Sequence, residues 1–438
     1  MPKSTGMAYV LVQHLDPHHE SILAELLSEV TEMEVAEVKA DVQVEPNRVY
    51  VIPPSKGLIL VDGTLRLIPR GPPGVVHMPI DYFFKSLAEM WGGQAIGVIL
   101  SGMGTDGTLG MLAIEAAGGI AFAQEPSSAQ NGAMPRSAID AGGVDFVLTP
   151  EDIASELKRL GQHPYWARAN ARASDPLATA HVESAEPSED HESLARVLEL
   201  LRKTGGTDFS AYKKTTLRRR IARRMAVCRV ETIAEYALRL DGDVTEAKAL
   251  YEDCLISVTS FFRDPTVFDA LKEQALPALL KDHGEGAPLR VWVPGCASGE
   301  EAYSIAICLL EQLAKLPQGP PLQIFATDLS EGALAKAREG KYLVNIAQDV
   351  SAERLRRFFT KVDDGYQISK SIREMCVFAR HDLTRDPPYS RLDLISCRNL
   401  LIYLEARLQE QVFATFHYAL RADGLLVVGS AETAGSAS

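Results

Sequence analysis

The stretch LRVWVPGCASGEEAYSIAICLLEQL (289–313) decides the fold of the second half of the chain. It opens with an apolar run typical of a buried strand, and a glycine-bearing turn follows directly. The remainder has the apolar spacing of a helix, and a second strand, LQIFATDLS (322–330), comes next. Later apolar runs at 375–383, 391–399 and 423–430 continue the pattern. This alternation predicts a doubly wound α/β unit with a mostly parallel sheet.

The glycine turn and the end of the second strand have the features of a nucleoside site. A glycine turn after the first strand lets a ligand approach backbone N–H groups, and Asp328 can accept hydrogen bonds from both ribose hydroxyls. Neither G-x-G-x-x-G nor G-K-[ST] occurs at this turn. A nucleoside cofactor without phosphate is therefore favoured, and S-adenosylmethionine fits. The alternative is a plain βα turn in which Glu300 and Glu301 interact with the helix dipole.

Length and charge limit the classes of protein to consider. At ~150 residues per domain, the 438 residues predict two or three domains, and 46% apolar residues can supply a sizeable core. A formal net charge of −13 disfavours general nucleic-acid binding unless a local basic patch overrides it. The six cysteines form no C-x-x-C pair, which favours reduced thiols in a cytoplasmic protein. No apolar run approaches the ~18 residues of a membrane span, and we predict no metal site.

The stretch from Gln162 to His191 interrupts the globular pattern. It is rich in Ala, Ser, Pro and acidic residues, which predicts a linker. Before it, short apolar runs alternate with helical patterns and predict a first α/β domain over 1–161. After it, periodic Leu, Ile and Ala predict a small all-helical domain over 192–285, and the doubly wound domain covers 286–438.

Four blocks in the second half together resemble the CheR-type chemotaxis-receptor methyltransferases: VTSFFRD (258–264), PGCASGEEAYSIAI (294–307), FATDLS (325–330) and CRNLLIYL (397–404). The resemblance covers about 193–433. It implies a helical domain followed by a Rossmann-like methyltransferase domain, with S-adenosylmethionine as cofactor and glutamate side chains of chemoreceptors as substrate. The family's chemistry needs neither a metal nor a covalent intermediate, so positioning supplies most of the acceleration.

The same resemblance implies roles for individual residues. The implied cofactor contacts are Thr259 and Arg263 at the methionine end, Glu301 near the amino group, Asp328 at the ribose, Asp382 and Leu383 beside the adenine, and Arg398, Asn399 and Leu400 over the cofactor. Ser257 and Asp382 depart from the family, which often has asparagine at both positions. Arg263 and Tyr403 are the candidate catalytic residues that orient the acceptor carboxylate. Their alternatives are a surface ion pair and a core aromatic ring.

A basic helix is predicted at YKKTTLRRRIARRMAVCR (212–229). Such a concentration of positive charge in an acidic protein favours an acidic partner over a merely solvated face, and nucleic acid is the rival. In the family this helix faces the glutamate-rich methylation helices of the receptor. The residues predicted to dock the receptor are Arg218, Arg219, Arg220, Arg223 and Arg224.

Three blocks in the first half resemble the CheB-type receptor methylesterases, which hydrolyse glutamyl methyl esters: VQHLDP (12–17), GVILSGMGTDGTLG (97–110) and AMPRSAI (133–139). The resemblance covers about 7–160. It implies that His14 and Asp106 are the histidine and aspartate of a Ser-His-Asp triad, and that Met103 lies in the turn that helps to shape the oxyanion site.

The family's serine lies in a G-x-S-x-G-G segment about 40 residues before the histidine, and no such segment precedes His14 here. We therefore expect an N-terminally truncated and inactive esterase-like domain. Ser4 lacks the elbow glycines, and Ser101 is a conceivable substitute nucleophile. The spacing of His14, His18, His19 and Glu20 disfavours a metal site at these residues.

The sequence therefore predicts a bifunctional fusion for chemotaxis signal transduction: a truncated esterase-like α/β domain, a linker, a helical domain and a Rossmann-like methyltransferase domain. We also expect the chain to stop short of the family's last helix and strand. A non-catalytic signalling scaffold is the alternative. A nucleic-acid methyltransferase is disfavoured, because DPPY (386–389) falls in a loop after the adenine pair.

Overall fold

The computed structural model describes residues 5–15, 21–54, 56–70, 77–163, 188–281, 286–363 and 365–432. The chain divides into two compact units, which are Met1–Gly205 with Arg218–Asp253, and Gly206–Leu217 with Cys254–Ser438. The body of the predicted linker lies outside the described residues. The helical segment after it begins at Ser188, inside the predicted linker, and most of it belongs to the first unit.

Among its described residues, the first unit contains three small sheets. Strands β1, β4 and β2 pair in parallel, as do β7, β8 and β9, whereas β3, β6 and β5 are antiparallel. The strands are β1 (Tyr9–Leu11), β2 (Glu34–Glu37), β3 (Val42–Gln43), β4 (Arg48–Val51), β5 (Lys56–Val61), β6 (Thr64–Pro69), β7 (Ile96–Ile99), β8 (Ile120–Gln124) and β9 (Phe146–Leu148).

The antiparallel pair β5–β6 is a tight hairpin that the α/β alternation did not predict. Asp62 and Gly63 both have positive φ, at 50° and 72°. Asp-Gly is a preferred pair for a two-residue hairpin turn, because both positions need a left-handed backbone. This dipeptide was the signal available in the sequence.

Five helices accompany these strands in the described part of the segment, and the buried apolar side chains between them form its core. Thr149 caps the last of the five by accepting a hydrogen bond from the Asp152 N–H, with Pro150 in the first turn. The helices are α1 (Leu23–Val30), α2 (Pro79–Trp91), α3 (Thr108–Ala116), α4 (Ala133–Ala141) and α5 (Pro150–Gly161).

The predicted all-helical segment is present, with four helices among its described residues. Apolar side chains such as Val197, Leu201 and Leu250 are fully buried within it. Ala226 also belongs to an apolar cluster with Ile120 and Phe122 of β8, so the segment packs on the esterase-like part of the same unit. The helices are α6 (Ser188–Gly205), α7 (Lys214–Cys228), α8 (Ile233–Gly242) and α9 (Val244–Cys254).

The second unit is built on a five-stranded parallel sheet in the order β15-β11-β10-β16-β17. Its central strands are apolar on both faces, as a sheet covered on both sides requires. A small antiparallel sheet, in the order β12-β14-β13, is inserted in the sequence between β11 and β15 of the large sheet. The strands are β10 (Leu289–Pro294), β11 (Leu322–Asp328), β12 (Lys341–Leu343), β13 (Phe359–Val362), β14 (Gly365–Ile368), β15 (Cys376–Arg380), β16 (Leu392–Cys397) and β17 (Leu420–Val428).

The order of this sheet determines where a ligand can bind. Strand β10 has β11 on one side and β16 on the other, so the connections leave it in opposite directions and open a crevice at its carboxyl end. Seven helices of this half lie within the described ranges, and a π turn over Leu271–Ala275 joins the first two. They are α10 (Pro265–Ala270), α11 (Leu276–Lys281), α12 (Glu300–Leu313), α13 (Glu331–Glu339), α14 (Ala352–Phe358), α15 (Lys370–Met375) and α16 (Ala406–Ala419).

The architecture confirms the predicted mixed α/β fold class with its small helical domain. The strand predicted from the opening stretch is Leu289–Pro294, and the helix predicted after it is Glu300–Leu313. Among the described residues, no helix has the length and apolar character needed to cross a bilayer.

Candidate cofactor and catalytic site

The turn between β10 and α12 brings the backbone into a shape that needs glycine. Gly295 and Gly299 have φ values of 70° and 94°. A Cβ on Gly299 would lie 2.9 Å from the Ala337 Cβ and 3.2 Å from the Phe378 ring, so a side chain has no room there. Ala297 between them also has a positive φ, at 45°. The strained turn leaves its backbone close to whatever occupies the crevice.

Asp328 lies at the carboxyl end of β11, next to this turn. Its Oδ2 accepts a hydrogen bond from the Ala297 N–H at 2.9 Å, and its Oδ1 accepts one from the Ser330 N–H at 2.9 Å. Each carboxylate oxygen keeps a second lone pair, so both can still accept a hydroxyl hydrogen. Burial raises the pKa of Asp328, and these backbone N–H groups oppose the rise. The arrangement suits a ribose with two free hydroxyls.

Glu301, in the first turn of α12, places a second carboxyl group in the site. The Ser396 hydroxyl donates to its Oε1 at 2.7 Å, and the Arg398 Nη1 lies 3.7 Å from its Oε2. Burial raises the pKa of Glu301 to about 7, although Arg398 opposes the rise. A cationic ligand group placed beside Glu301 would stabilise its charged form.

We expect cofactor affinity to rise with pH because of Glu301. The pKa of Glu301 is about 7, so the ionised fraction rises about eightfold between pH 6 and 7.5, while an α-amino group with a pKa of about 7.7–8.0 loses about a third of its charge. Binding of S-adenosylhomocysteine, measured by calorimetry, should therefore strengthen about fivefold over this window. The stability of the free chain should change the opposite way. A raised carboxyl pKa contributes stability that is present below the unfolded-state pKa and lost as pH rises through 7.

The Glu301→Gln variant should bind with no such pH slope. Glu300→Gln is the matched control, because burial also raises the pKa of Glu300 to about 7. Its carboxylate is held by the Ser298 hydroxyl instead. If the slope disappears in Glu300→Gln and persists in Glu301→Gln, Glu301 does not meet the cofactor's amino group.

Arg398 links the end of β16 to the loop that carries Thr259 and Arg263. Its Nη2 donates to the Arg263 carbonyl and to Asp264, both at 2.7 Å. The Arg263 side chain itself donates to the Val258 carbonyl at 3.1 Å. The structure thus brings Arg263 beside the buried Arg398, and Thr259 lies partly buried in the same loop. The sequence interpretation did not single out Asp264 or Ser396, although they stand in or beside the blocks quoted above.

Asp382 and Leu383 follow β15, the strand beside β11. The neighbouring His381 N–H donates to the Asp328 carbonyl at 3.1 Å, so the pair lies next to the ribose candidate. The Asp382 Oδ1 already accepts from the Thr384 N–H at 2.9 Å and hydroxyl at 2.7 Å, which leaves Oδ2 for a ligand. Leu383 packs on the apolar cluster around Trp292.

The DPPY segment has a structural role in the same region. Tyr389 stacks on Phe325 with ring centroids 4.4 Å apart, and it lies edge-on to Trp292. The segment is a loop, as predicted, and its tyrosine contributes to the core.

The segment after β16 closes the site from the other side. Asn399 has a left-handed φ of 59°, and its buried Oδ1 accepts no hydrogen bond from any described residue. Leu400 lies over the glycine turn, since a Cβ on Gly295 would be 3.0 Å from its Cδ2. Tyr403 ends a short 3-10 turn, and its carbonyl accepts from the Lys213 N–H at 2.8 Å. The Asn399 Oδ1 is free to accept a hydrogen bond, and the turn at Gly295 leaves its backbone open to a ligand. Both features fit a cationic nucleoside cofactor.

His14 and Asp106 of the esterase-like segment form the pair that the resemblance implied. The His14 Nε2 lies 2.8 Å from the Asp106 Oδ2. Asp106 is buried and accepts from the N–H groups of Ile80 and Asp81 at the start of α2, so its orientation is fixed. His77 lies edge-on to His14, and burial, followed by the nearby positive charges, lowers the pKa of His77.

Ser101 is held in a way that does not suit a nucleophile. Its hydroxyl donates to the Asn131 carbonyl at 3.3 Å and accepts from the Asn131 N–H at 3.0 Å. Met103 of the same loop is exposed. Ser4 and His18, His19 and Glu20 lie outside the described residues. Within the described ranges, no group of three or more metal-ligating side chains comes together.

The positions of the arginines on α7 bear on the prediction that they dock the receptor. Arg220 and Arg223 are 1% and 2% exposed. Arg220 donates to the Glu115 and Ala116 carbonyls at the end of α3, a favourable place for a cation. The expected receptor-docking role is wrong for these two, because buried guanidinium groups already bonded within the first unit cannot meet a partner.

Arg223 and Arg224 complete the same polar network. Arg223 donates to the Gly119 carbonyl at 2.8 Å and to Asp145 at 2.6 Å, and it also pairs with Asp253. Arg224, which is partly buried, makes two hydrogen bonds to Glu246, at 2.9 and 2.5 Å, and its docking role stays a prediction. For Arg218 and Arg219, both only partly buried, docking stays a prediction.

Comparison with family models assigns all three parts of the chain. Residues 257–437 match the CheR methyltransferase SAM-binding domain, and residues 192–255 match the CheR all-alpha domain. Residues 1–157 match CheB methylesterase. The SAM-binding domain covers the turn, Asp328 and Asn399, which confirms S-adenosylmethionine as the cofactor of this site.

The chain is similar to curated relatives and to a solved structure. A chemotaxis protein methyltransferase of Listeria monocytogenes is 35% identical over 227 residues, which are 52% of this chain and 84% of that protein. An uncharacterized 104.1 kDa protein of Rhodobacter capsulatus is 40% identical over 422 residues, or 94% of this chain. The chain spans 44% of the length of that second relative. Among solved structures, the CheB methylesterase catalytic domain of Thermotoga maritima is 29% identical with a TM-score of 0.32, covering 36% of this chain and 86% of that one.

Proposed function

Because the chain belongs to the CheR family of chemotaxis methyltransferases, we propose that it methylates glutamate side chains of chemoreceptors on their cytoplasmic helices. The observation that carries the proposal is the cluster at the carboxyl end of the parallel sheet. Glu301, Arg398 and the unused acceptor of Asn399 lie at one end of it, and Asp328 lies at the other. We place the reaction in the cytoplasm, where such receptor helices are found.

When bound, S-adenosylmethionine supplies a methyl group on a positively charged sulfur, and transfer to a carboxylate neutralises both charges. The chain's task is therefore to bind, orient and exclude water rather than to donate or abstract a proton. Asp328 holds the ribose and Glu301 holds the amino group. Asp382 and Leu383 flank the adenine, and Arg398 and Asn399 order the segment over the cofactor.

Arg263 and Tyr403 are the proposed catalytic residues. Arg263 follows the Phe261–Phe262 pair, whose rings are buried in the core of the second unit, and this anchors the loop near the site. A guanidinium can pair with an incoming carboxylate without transferring a proton to it. Tyr403 stands at the end of the segment that begins with Arg398, and its hydroxyl can donate to the same carboxylate.

Methyl transfer from radiolabelled cofactor to a panel of chemoreceptor cytoplasmic domains tests the proposal. We expect label in the receptor that mild base releases as methanol, because carboxyl esters are base-labile. Receptor domains with Gln in place of the methylated glutamates are the matched control and should take up no label. Base-stable label would overturn glutamate as the acceptor. Cofactor binding without transfer to any receptor domain would favour the scaffold alternative.

We propose that the esterase-like segment of residues 1–157 does not hydrolyse methyl esters in this 438-residue chain. His14 and Asp106 are hydrogen-bonded through the His14 Nε2, but a histidine–aspartate pair needs a nucleophile to activate, and the Ser101 hydroxyl is bonded to Asn131. Methanol release from methylated receptor should stay within ~10³-fold of the reaction in water. Joining a G-x-S-x-G-G segment of a related esterase to the N-terminus should create activity that His14→Ala and Asp106→Asn abolish.

Enzyme-like methanol release by the unextended chain would contradict this proposal. The Ser101→Ala variant would then identify or exclude that serine as the nucleophile. If the extended chain ignored His14→Ala, the histidine would have only a packing role.

A further inference from the structure

The carboxylate of Glu432 accepts backbone hydrogen bonds from two separate segments. Its Oε1 accepts from the Leu401 N–H at 2.8 Å and the Ile402 N–H at 3.3 Å. Its Oε2 accepts from the Asn399 N–H at 2.9 Å and the Gly429 N–H at 2.7 Å. Glu432 is 7% exposed, so these bonds form away from bulk water. The sequence assigned no role to this residue, although it lies within the resemblance over 193–433.

The segment that Glu432 holds has a backbone that would not be stable alone. Asn399 adopts a left-handed φ of 59°, a conformation that asparagine tolerates better than most residues because its short polar side chain can hydrogen-bond locally. The N–H groups of Asn399 and Leu401 would be left buried without partners if the carboxylate were absent. One side chain therefore satisfies the donors of a whole turn.

Gly429 shows how closely this contact is packed. A Cβ at position 429 would lie 2.7 Å from the Glu432 Oε2 and 3.2 Å from the Asn399 nitrogen. Strand β17 pairs with β16 as far as Val428 and Cys397, so Glu432 joins the segments that leave the ends of both strands. The two neighbouring strand ends are thereby fixed to each other at the edge of the crevice.

The same segment carries the groups that face the cofactor site. Arg398 is bonded to the Arg263 carbonyl and Asp264, and Asn399 keeps its buried Oδ1 without a partner among the described residues. Leu400 covers the Gly295 turn. Any opening of the backbone from 399 to 402 would displace all three.

We propose that Glu432 is a positioning residue of the methyltransferase site, which holds the segment 399–402 so that Asn399 and Leu400 meet the cofactor. This deepens the proposed function and rests on it for the identity of the ligand. Glu432 touches neither cofactor nor substrate, and it acts through the backbone groups it binds. A glutamine is not equivalent, because its amide nitrogen would face N–H donors.

The test compares Glu432→Gln with Glu410→Gln, an exposed glutamate on α16. Two quantities are measured: S-adenosylhomocysteine affinity by calorimetry, and hydrogen exchange of the peptide containing residues 399–402 in the free protein. In Glu432→Gln we expect affinity to fall at least tenfold and exchange of this peptide to accelerate, with β10 still protected. Glu410→Gln should change neither quantity.

A second variant covers the case in which Glu432→Gln unfolds the chain. Gly429→Ala keeps the carboxylate but pushes against it, and it should also weaken binding and loosen 399–402 while β10 stays protected. Accelerated exchange with unchanged affinity in either folded variant would overturn the proposal, as would unchanged exchange. Neither measurement uses a receptor. A failure of the chain to methylate receptors would therefore not change the conclusion about Glu432.

Discussion

Replacing Asp328 with alanine should lower the affinity for S-adenosylmethionine and S-adenosylhomocysteine by about 10²–10⁴-fold. Two hydrogen bonds from ribose hydroxyls to a carboxylate are worth about 1.5–3 kcal/mol each. The substitution also removes the acceptor for the Ala297 and Ser330 N–H groups, so the glycine turn loses its support. Calorimetric titration measures the change directly.

Asp328→Asn separates these two contributions. The amide keeps one oxygen for either the ribose or the turn, so its affinity should fall between those of the wild-type chain and Asp328→Ala. Asp423→Ala is the matched control, because that aspartate is exposed on β17, and it should bind as the unmodified chain does. An Asp328→Ala protein that binds the cofactor normally would refute the ribose assignment and, with it, the placement of the site at this strand end.

The features that could be predicted from the sequence are local ones. Gly295 and Gly299 indicate a turn because no other residue accepts both the backbone angles and the close contacts found there. Asp328 follows an apolar strand directly, and parallel strands bring such ends together. His14 and Asp106 could be paired only through family resemblance, since 92 positions separate them in the chain.

The features that escaped prediction depend on contacts between distant segments. The residue type of Arg223 and Arg224 does not reveal whether their side chains are solvated or buried. The high density of positive charge in this helix therefore favoured an external acidic partner. The decisive groups, Asp145 and the Gly119 carbonyl, lie far away in the sequence. Glu432 was missed for a similar reason, because its partners are backbone N–H groups that leave no trace in residue type.

The position of α7 has a consequence for experiments on substrate docking. Ala226 packs into the apolar cluster with Ile120 and Phe122, and the Arg159 side chain donates to the Ala226 carbonyl at 2.8 Å. Reversing the charge of Arg223 would therefore disturb the folded first unit before it tested any docking surface. Loss of methyl transfer in such a variant could not be assigned to receptor binding.

Arg223→Ala should destabilise the first unit by about 3–5 kcal/mol, because it leaves the buried carboxylate of Asp145 without its cation. Leaving the Asp145 carboxylate without a cation costs stability, because it is buried. Burial raises its pKa, and Arg223 is the largest influence opposing that rise. Hydrogen exchange of α7 peptides at increasing urea concentration measures the free energy of unfolding for this unit, so a coincident loss in the second unit can be recognised.

Two further variants decide whether the effect comes from the buried charges. Arg202→Ala removes an exposed arginine of α6 and should change stability by no more than about 0.5 kcal/mol. Arg223→Met combined with Asp145→Asn removes the cation and one of its anions while keeping most of the volume, and it should recover part of the loss. If Arg223→Ala costs no more than Arg202→Ala, α7 does not pack on the esterase-like fold, and its arginines become available again for an acidic partner.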